Sequence, residues 1–336
     1  MLIATDNFCA VCVDAGTTRT RVWLVRGTEI VAHTTAMIGV RDTARAGSNE
    51  KLRAVLRDLI AEVRRRGVAN DPATVPTCVA AAGMITSPLG LAEIPHVAAP
   101  AGISELRAGV RRFHFPELTD LPVLLVPGVR SGALQPTVET IGQCDVMRGE
   151  ETLCAGLIAA GRLSFPSVVL NFGSHWKAIQ LDGDGRVAGS VTSLAGEMMH
   201  AVQTTTILAS AVPAGRPEFI DLAWCAAGMR EQRRAGLTRA LFCVRLLEVQ
   251  QHGTPEERMA FLTGAFMAAE LDAWQAQGVA LTRCPVLIAG SGALTKAWQH
   301  ALETAGSAAE VLSEAEIEKA FLTGLRAIAQ GVLTSP

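Results

Sequence analysis

Asp14, Gly16, Thr17 and Thr18 are the first residues of this chain whose types and spacing could do chemistry. An apolar run from Val11 leads into Asp14, the Gly16-Thr17-Thr18 turn follows, and Arg21 to Val25 resumes an apolar strand, so the stretch reads as strand, turn, strand. Glycine lets the backbone approach a bound group closely, and the two hydroxyls join the amide donors, which together make a cradle for phosphate. Asp14, at the strand end, is placed to hold a magnesium ion or its waters, because this hard cation binds through one or two carboxylates plus phosphate oxygens. An ordinary hairpin tip is the competing reading of the stretch taken alone.

The pattern recurs. Ser167 to Phe172 is a largely apolar run ending in Gly173-Ser174-His175-Trp176-Lys177, and a further strand follows. This second turn offers amide donors to a polyphosphate and Lys177 adds a point charge, while His175 either touches phosphate or is structural. A third turn, Gly290-Ser291-Gly292, follows the strand Pro285 to Ala289 and opens a helix, where a flat ring or a phosphate can lie against the backbone and the helix amino end adds positive potential. Alone, that GxG is weak. Between the first two turns lie Asp145, Glu150 and Glu151, at or near a helix start where the dipole favours negative charge. Capping suffices for any one of them, but the cluster, beside Arg148 and between two phosphate-type turns, points to function. Arg130, just past the buried strand Pro122 to Val126, is either a carboxylate ligand or a surface arginine. Gly83, Met84 and Ser87 follow a small-residue strand, the kind of position where α/β proteins place ligand contacts.

The elements that must position these residues alternate between strand and helix patterns. Leu52, Val55, Leu56, Leu59, Ile60 and Val63 follow helical spacing from a cap at Ser48 or Asn49 to Arg66, with Gly67 as the stop. Residues 88–102 carry little periodicity and read as irregular. Residues 193–252 read mostly as helices with a break near Val212-Pro213-Ala214-Gly215. Capping boxes at Thr254-Pro255-Glu256-Glu257 and Ser313-Glu314-Ala315-Glu316 open two more helices, and the tail from Gly331 is expected to fray.

A chain of 336 residues is long enough for about two domains. The net charge of −2 leaves no electrostatic footprint for nucleic acid or an anionic membrane. No signal-peptide pattern or confident membrane span is present, so a cytoplasmic location is expected. Eight scattered cysteines, mostly in apolar runs, suit a reducing compartment. Cys9 and Cys12 form a CxxC, but three apart on a strand they point to opposite faces, which discounts a redox or zinc role.

Three glycine turns in this order, separated by helices, resemble the actin/hexokinase superfamily of two-domain ATP-binding proteins, and within it the 2-dehydro-3-deoxygalactonokinases over nearly the whole chain. The family's DWGTTxxR is similar to Asp14-Ala15-Gly16-Thr17-Thr18-Arg19-Thr20-Arg21, and its GM(V/I)xS to Gly83-Met84-Ile85-Thr86-Ser87. DVMRGEET stands unaltered at Asp145 to Thr152, GTHSK is matched by Gly173 to Lys177, and TGE is reduced to Ala195-Gly196-Glu197. Ala15 replaces a family tryptophan, and Leu91 and Pro95-His96 stand where the family has tryptophan and a PY pair.

The resemblance implies an α/β, two-lobed actin-like ATPase (ribonuclease H-like) fold with mixed sheets flanked by helices. It implies an N-terminal lobe of residues 1–143 plus a return helix at 313–330, and a C-terminal lobe of residues 144–312. The implied activity is ATP- and magnesium-dependent phosphorylation of the terminal 6-hydroxyl of 2-dehydro-3-deoxy-D-galactonate. The first two turns, with Arg21, would hold the β- and γ-phosphates and the third would lie by the adenosine. Asp145 is the first nominee for the base and Glu150 the second. Gly83, Met84, Ser87, Arg130 and Arg148 would meet the sugar acid, the two arginines as candidates for its carboxylate. The expected partner is a small-molecule sugar acid, with neither nucleic acid nor membrane, and any assembly would be a homodimer. The rivals are another carbohydrate kinase of the superfamily and a non-catalytic ATP-dependent switch. A dinucleotide-dependent dehydrogenase is disfavoured by the absence of a GxGxxG followed by an acidic residue.

Overall fold

Each of the two units into which this chain divides is organised around a mixed sheet. The computed structural model describes residues 8–333.

The first unit comprises the described residues of Met1–Leu163, Gly185–Gly189 and Glu318–Pro336. Its strands and helices run β1 (Cys9–Ala15), β2 (Thr20–Arg26), β3 (Glu29–Ala36), α1 (Val40–Ala46), α2 (Glu50–Asn70), β4 (Cys78–Gly83), β5 (Val97–Ala98), α3 (Ile103–Gly109), β6 (Arg111–Phe113), β7 (Val123–Leu125), β8 (Val129–Ser131), β9 (Asp145–Met147) and α4 (Glu150–Ala159). The main sheet has the order β3-β2-β1-β4-β7-β6, and β5, β8 and β9 form a small second sheet. β1 is central, antiparallel to β2 and parallel to β4. That position explains why its apolar residues are buried on both faces. Val11, Val13 and Ala15 join Leu52, Leu56 and Ile60 of α2 in one core. Cys9 lies in that core and Cys12 does not, as the alternation of a strand requires, and both are free thiols.

Several local expectations change. α2 continues past Gly67 to Asn70. Gly67 is there for close packing: a Cβ would fall 2.0 Å from Leu24 Cδ2 of β2. α1 and α3, seven residues each, are too short to show a periodicity. The sequence boundary at 143/144 falls within the first unit, because β9 pairs with β8 and α4 packs on the long terminal helix.

The second unit comprises Ser164–Asp184 and Ser190–Ile317. Here β10 (Ser167–Phe172), β11 (Trp176–Leu181), β12 (Val187–Ser193, in this unit from Ser190), α5 (Ala195–Thr205), α6 (Leu222–Ala235), α7 (Leu237–Val249), α8 (Pro255–Ala276), β13 (Val286–Ala289), α9 (Ala293–Thr304) and β14 (Ala309–Val311) follow one another, and the sheet order is β12-β11-β10-β13-β14. Phe172, Trp176, Trp274 and Trp298 form the centre of its core, with the Phe172 and Trp298 rings stacked at 4.8 Å and Trp176 edge-on to Trp298 at 5.4 Å. The expected capping box opens α8: Glu257 N–H donates to Thr254 Oγ1 at 3.2 Å, and Thr254 N–H to Glu257 Oε2 at 2.7 Å.

The final helix, α10 (Glu314–Leu333), joins the first unit from Glu318 onward, where Trp23 Nε1 donates to Glu318 Oε2 at 3.1 Å. It runs through Gly331, so the expected fraying does not begin there; residues 334–336 lie outside the described residues. Among the described residues no helix is long and apolar enough to cross a membrane.

Candidate active site

The turn after β1 is shaped by the helix that docks on it. Gly16 N–H donates to Arg19 O at 2.9 Å and closes the turn. Its outward carbonyls are then taken by the start of α1: Val40 N–H donates to Gly16 O at 3.2 Å and Arg41 N–H to Thr17 O at 3.0 Å. Such closeness requires Gly39, where a Cβ would lie 2.4 Å from Thr17 O. With the carbonyls committed, the Thr17 and Thr18 amides donate no hydrogen bond among the described residues. The face left to a ligand is therefore made of donors, which suits an anion.

The turn after β10 repeats this construction in the second unit. Gly173 N–H donates to His175 O at 3.3 Å, and Glu197 N–H, at the start of α5, donates to Ser174 O at 2.8 Å. Gly196 provides the close fit, since a Cβ there would lie 2.4 Å from Gly173 O and 2.6 Å from Ser174 O. Glu197 also approaches the turn with its side chain, its Oε1 lying 4.0 Å from His175 Nε2. Lys177 is buried on β11 opposite Asn171. β13 runs parallel to β10 with Ala289 opposite Asn171, so Gly290, Ser291 and Gly292 emerge beside this second turn. A Cβ on Gly290 would lie 3.4 Å from the Cβ of Phe172, so the loop rests on the aromatic core.

Asp14 faces Arg21 across the β1–β2 register, and Arg21 Nε donates to Asp14 Oδ2 at 3.1 Å with a second, shorter bond from its terminal amino group. Arg21 thus anchors the candidate metal ligand. The other oxygen, Oδ1, lies on the Gly83 side, 3.2 Å from where a Cβ would be. Among the described residues no group of three or more His, Cys, Asp or Glu could hold a metal. One carboxylate beside a turn of amide donors nevertheless fits magnesium, which keeps most of its waters and takes its remaining oxygens from phosphates.

Gly83 and Gly149 bring the separate motifs of the first unit together. Both have left-handed φ, +88° and +105°, and a Cβ on Gly149 would lie 3.3 Å from Gly83 Cα. Glu150 opens α4 immediately after this contact. Glu151 folds back, both its oxygens accepting from Gly149 N–H at 2.9 and 2.7 Å, and Oε1 accepting from Thr152 Oγ1 at 3.0 Å. Burial pushes the Glu151 carboxyl up to about 7, and the charge of Glu150 adds to the rise. Arg148 binds the same assembly to the Gly83 segment: its guanidinium donates to Thr86 Oγ1 at 2.8 Å and to Ile94 O at 2.7 Å. Burial lowers its pKa while Glu151 opposes the shift.

Ser87 Oγ donates to Met84 O at 2.7 Å and is buried, so it braces the short 3-10 turn at Met84–Thr86. Asp145 pairs with Ser131 and Arg130 with Val146 in the β8–β9 ladder, so Asp145 and Arg130 lie on opposite faces of the small sheet. Arg130 makes no ion pair among the described residues. The sequence reading missed the roles of Gly39 and Thr86, residues with no local signal; for Gly149 and Glu151, the RGEE run was the available signal.

Similarity to known proteins covers the same residues. A family model described as 2-keto-3-deoxy-galactonokinase matches residues 14–328. A crystal structure of a protein from Sinorhizobium meliloti, provisionally described as a 2-dehydro-3-deoxygalactonokinase, aligns over 97% of this chain and 98% of its own at 23% identity, with a TM-score of 0.77. An activator of 2-hydroxyisocaproyl-CoA dehydratase from Clostridium difficile, with bound ADPNP, aligns over 96% of this chain and 95% of its own at 12% identity and a TM-score of 0.50. These likenesses show the actin-like ATPase fold. No curated protein matches the chain.

Proposed function

Since the chain belongs to the 2-keto-3-deoxy-galactonokinase family, we propose that it transfers the γ-phosphoryl group of ATP to the terminal 6-hydroxyl of 2-dehydro-3-deoxy-D-galactonate. Beyond the family match, the reading is carried by the paired turns at Gly16 and Gly173, each closed on itself and docked by a helix start that donates to its carbonyls, Gly16 O and Thr17 O in the first and Ser174 O in the second. Phosphoryl transfer asks the protein mainly for positioning and charge neutralisation, and such turns supply both.

In this reading Gly16, Thr17 and Thr18 hold phosphate in the first unit, and Gly173, Ser174 and His175 do so in the second. Gly290, Ser291 and Gly292 line the adenosine. Magnesium, when bound beside Asp14, supplies further neutralisation of phosphate charge. Arg21 positions Asp14 and Lys177 supports β11, both at one remove from the ligand. Glu150 is the better of the two nominated bases, because it follows Gly149 directly and Gly149 lies against Gly83 beside Asp14. Its carboxylate accepts the proton of the acceptor hydroxyl as that oxygen bonds to the γ-phosphorus and ADP departs. Arg130 is the better carboxylate ligand, since Arg148 is committed to Thr86 and Ile94. The eight free thiols favour a reducing, cytoplasmic compartment.

The test is turnover and nucleotide affinity of Glu150→Gln and Asp145→Asn with 2-dehydro-3-deoxy-D-galactonate. Glu150→Gln is expected to lower kcat by ~10²–10⁴-fold with ATP affinity unchanged. An unchanged kcat there with a collapse in Asp145→Asn would transfer the role to Asp145. No turnover of this sugar acid by the unaltered protein, with turnover of another sugar, would refute the substrate.

A further inference from the structure

The second unit carries a cavity of about 710 Å³ that shares no residue with the phosphate turns. That volume is within the ~300–1,000 Å³ typical of small-molecule sites. One wall is a single face of α6, with Ala227, Arg230, Glu231 and Arg234 at helical spacing. The other is a face of α7 bearing Arg239, Cys243 and Leu246, and Phe261 of α8 forms the floor.

Charge and polarity are unevenly arranged along this groove. Arg234 is neutralised by Glu231, which accepts from its Nε at 2.8 Å and from its terminal amino group at 2.6 Å. Arg230 makes no ion pair among the described residues. Arg239 lies over the Phe242 ring at 5.8 Å and, without a hydrogen bond to Glu231 among the described residues, is a second cation whose charge acts on that carboxylate. Three guanidinium groups thus face a single carboxylate beside an apolar floor, which leaves the groove with an excess of positive charge. A planar guanidinium is the side chain best shaped for bidentate contact with carboxylate, sulfonate or phosphate.

We propose that this groove is a second small-molecule site, separate from the phosphate turns, that takes an amphipathic anion. The apolar body lies on Ala227, Leu246 and Phe261, and the anionic head meets Arg230 and Arg239. A second copy of the chain is a poor occupant, because two such faces would set their excess positive charge against each other.

The probe is 1-anilinonaphthalene-8-sulfonate, titrated calorimetrically into the full chain, with N-phenyl-1-naphthylamine as its uncharged counterpart. One sulfonate per chain is expected to bind, with no displacement by saturating ATP and magnesium. The double variant Arg230→Gln/Arg239→Gln should weaken it by about tenfold or more, and Ala227→Trp should block it by filling the groove. The uncharged dye should bind at least about tenfold more weakly. Both arginines are on the surface, so the double variant tests the site even if the tryptophan variant fails to fold. Absence of binding, displacement by ATP, indifference to the arginine variant or equal binding of the uncharged dye would each overturn the proposal. So would a dimer in sedimentation that Ala227→Trp converts to monomer, since a second copy would then occupy the groove.

Discussion

Glu151 makes the stability of this protein depend on pH in a direction opposite to that of most carboxylates. Its side chain is buried, faces the charge of Glu150 and the guanidinium of Arg148, and takes hydrogen bonds from Gly149 and Thr152. The balance raises its pKa from 4.5 to about 7 on folding. Below 4.5 both folded and unfolded chains carry the proton, so the group contributes no difference. Between 4.5 and 7 the folded chain keeps a proton that the unfolded chain has lost, so stability falls as pH rises through that window. With 1.36 kcal/mol per pKa unit, the full loss is about 3 kcal/mol above pH 7. Glu151→Gln carries no charge at any pH. Its own packing cost is constant, so the stability difference between the original protein and the variant isolates the titration. Urea unfolding from pH 4.5 to 8.5 should show that difference moving by about 3 kcal/mol in favour of the variant, and carboxyl ¹³C shifts should place the Glu151 midpoint near 7. A difference that stays constant across the range, or a midpoint near 4.5, would refute the argument that desolvation outweighs the Gly149 bonds.

Two further outcomes follow from close approaches. In the α4–α10 crossing a Cβ on Gly156 would lie 1.6 Å from Ala320 O, and one on Gly324 would lie 1.9 Å from Thr152 O. Gly156→Ala should therefore cost ~1–3 kcal/mol or more by overpacking, whereas Gly183→Ala, with nothing within 4 Å, should stay within about 0.5 kcal/mol in the same urea assay. Gly39→Ala and Gly196→Ala would press against the carbonyls of the two turns proposed to hold phosphate. Each should weaken ATP binding by about tenfold or more, equivalent to ~1.4 kcal/mol; calorimetry showing unchanged affinity in both would remove these turns from the nucleotide site.

Much of the fold was legible because the signals are local. β1 reads as a strand from its buried apolar residues, the Gly16 and Gly173 turns from their composition, and α8 from a capping box that forms as expected. Other features were hidden because they are steric agreements between distant residues. Gly67 looks like a helix stop, yet it is the point at which α2 passes Leu24. α4 looks like the start of a second lobe, yet glycine-to-backbone contact with α10 holds it in the first unit.

By itself the sequence determined which residue types could grip phosphate, and in what order along the chain, because turn chemistry and strand alternation act over a few residues. Only the tertiary structure decided how each candidate is employed. Arg21 is spent on Asp14, Arg148 on Thr86 and Ile94, and Glu151 on Gly149, while Asp145 and Arg130 occupy opposite faces of one sheet. The physical reason is that a charged side chain at a partly buried position binds whichever partner the packing places within about 3 Å, and no spacing along the chain encodes that partner.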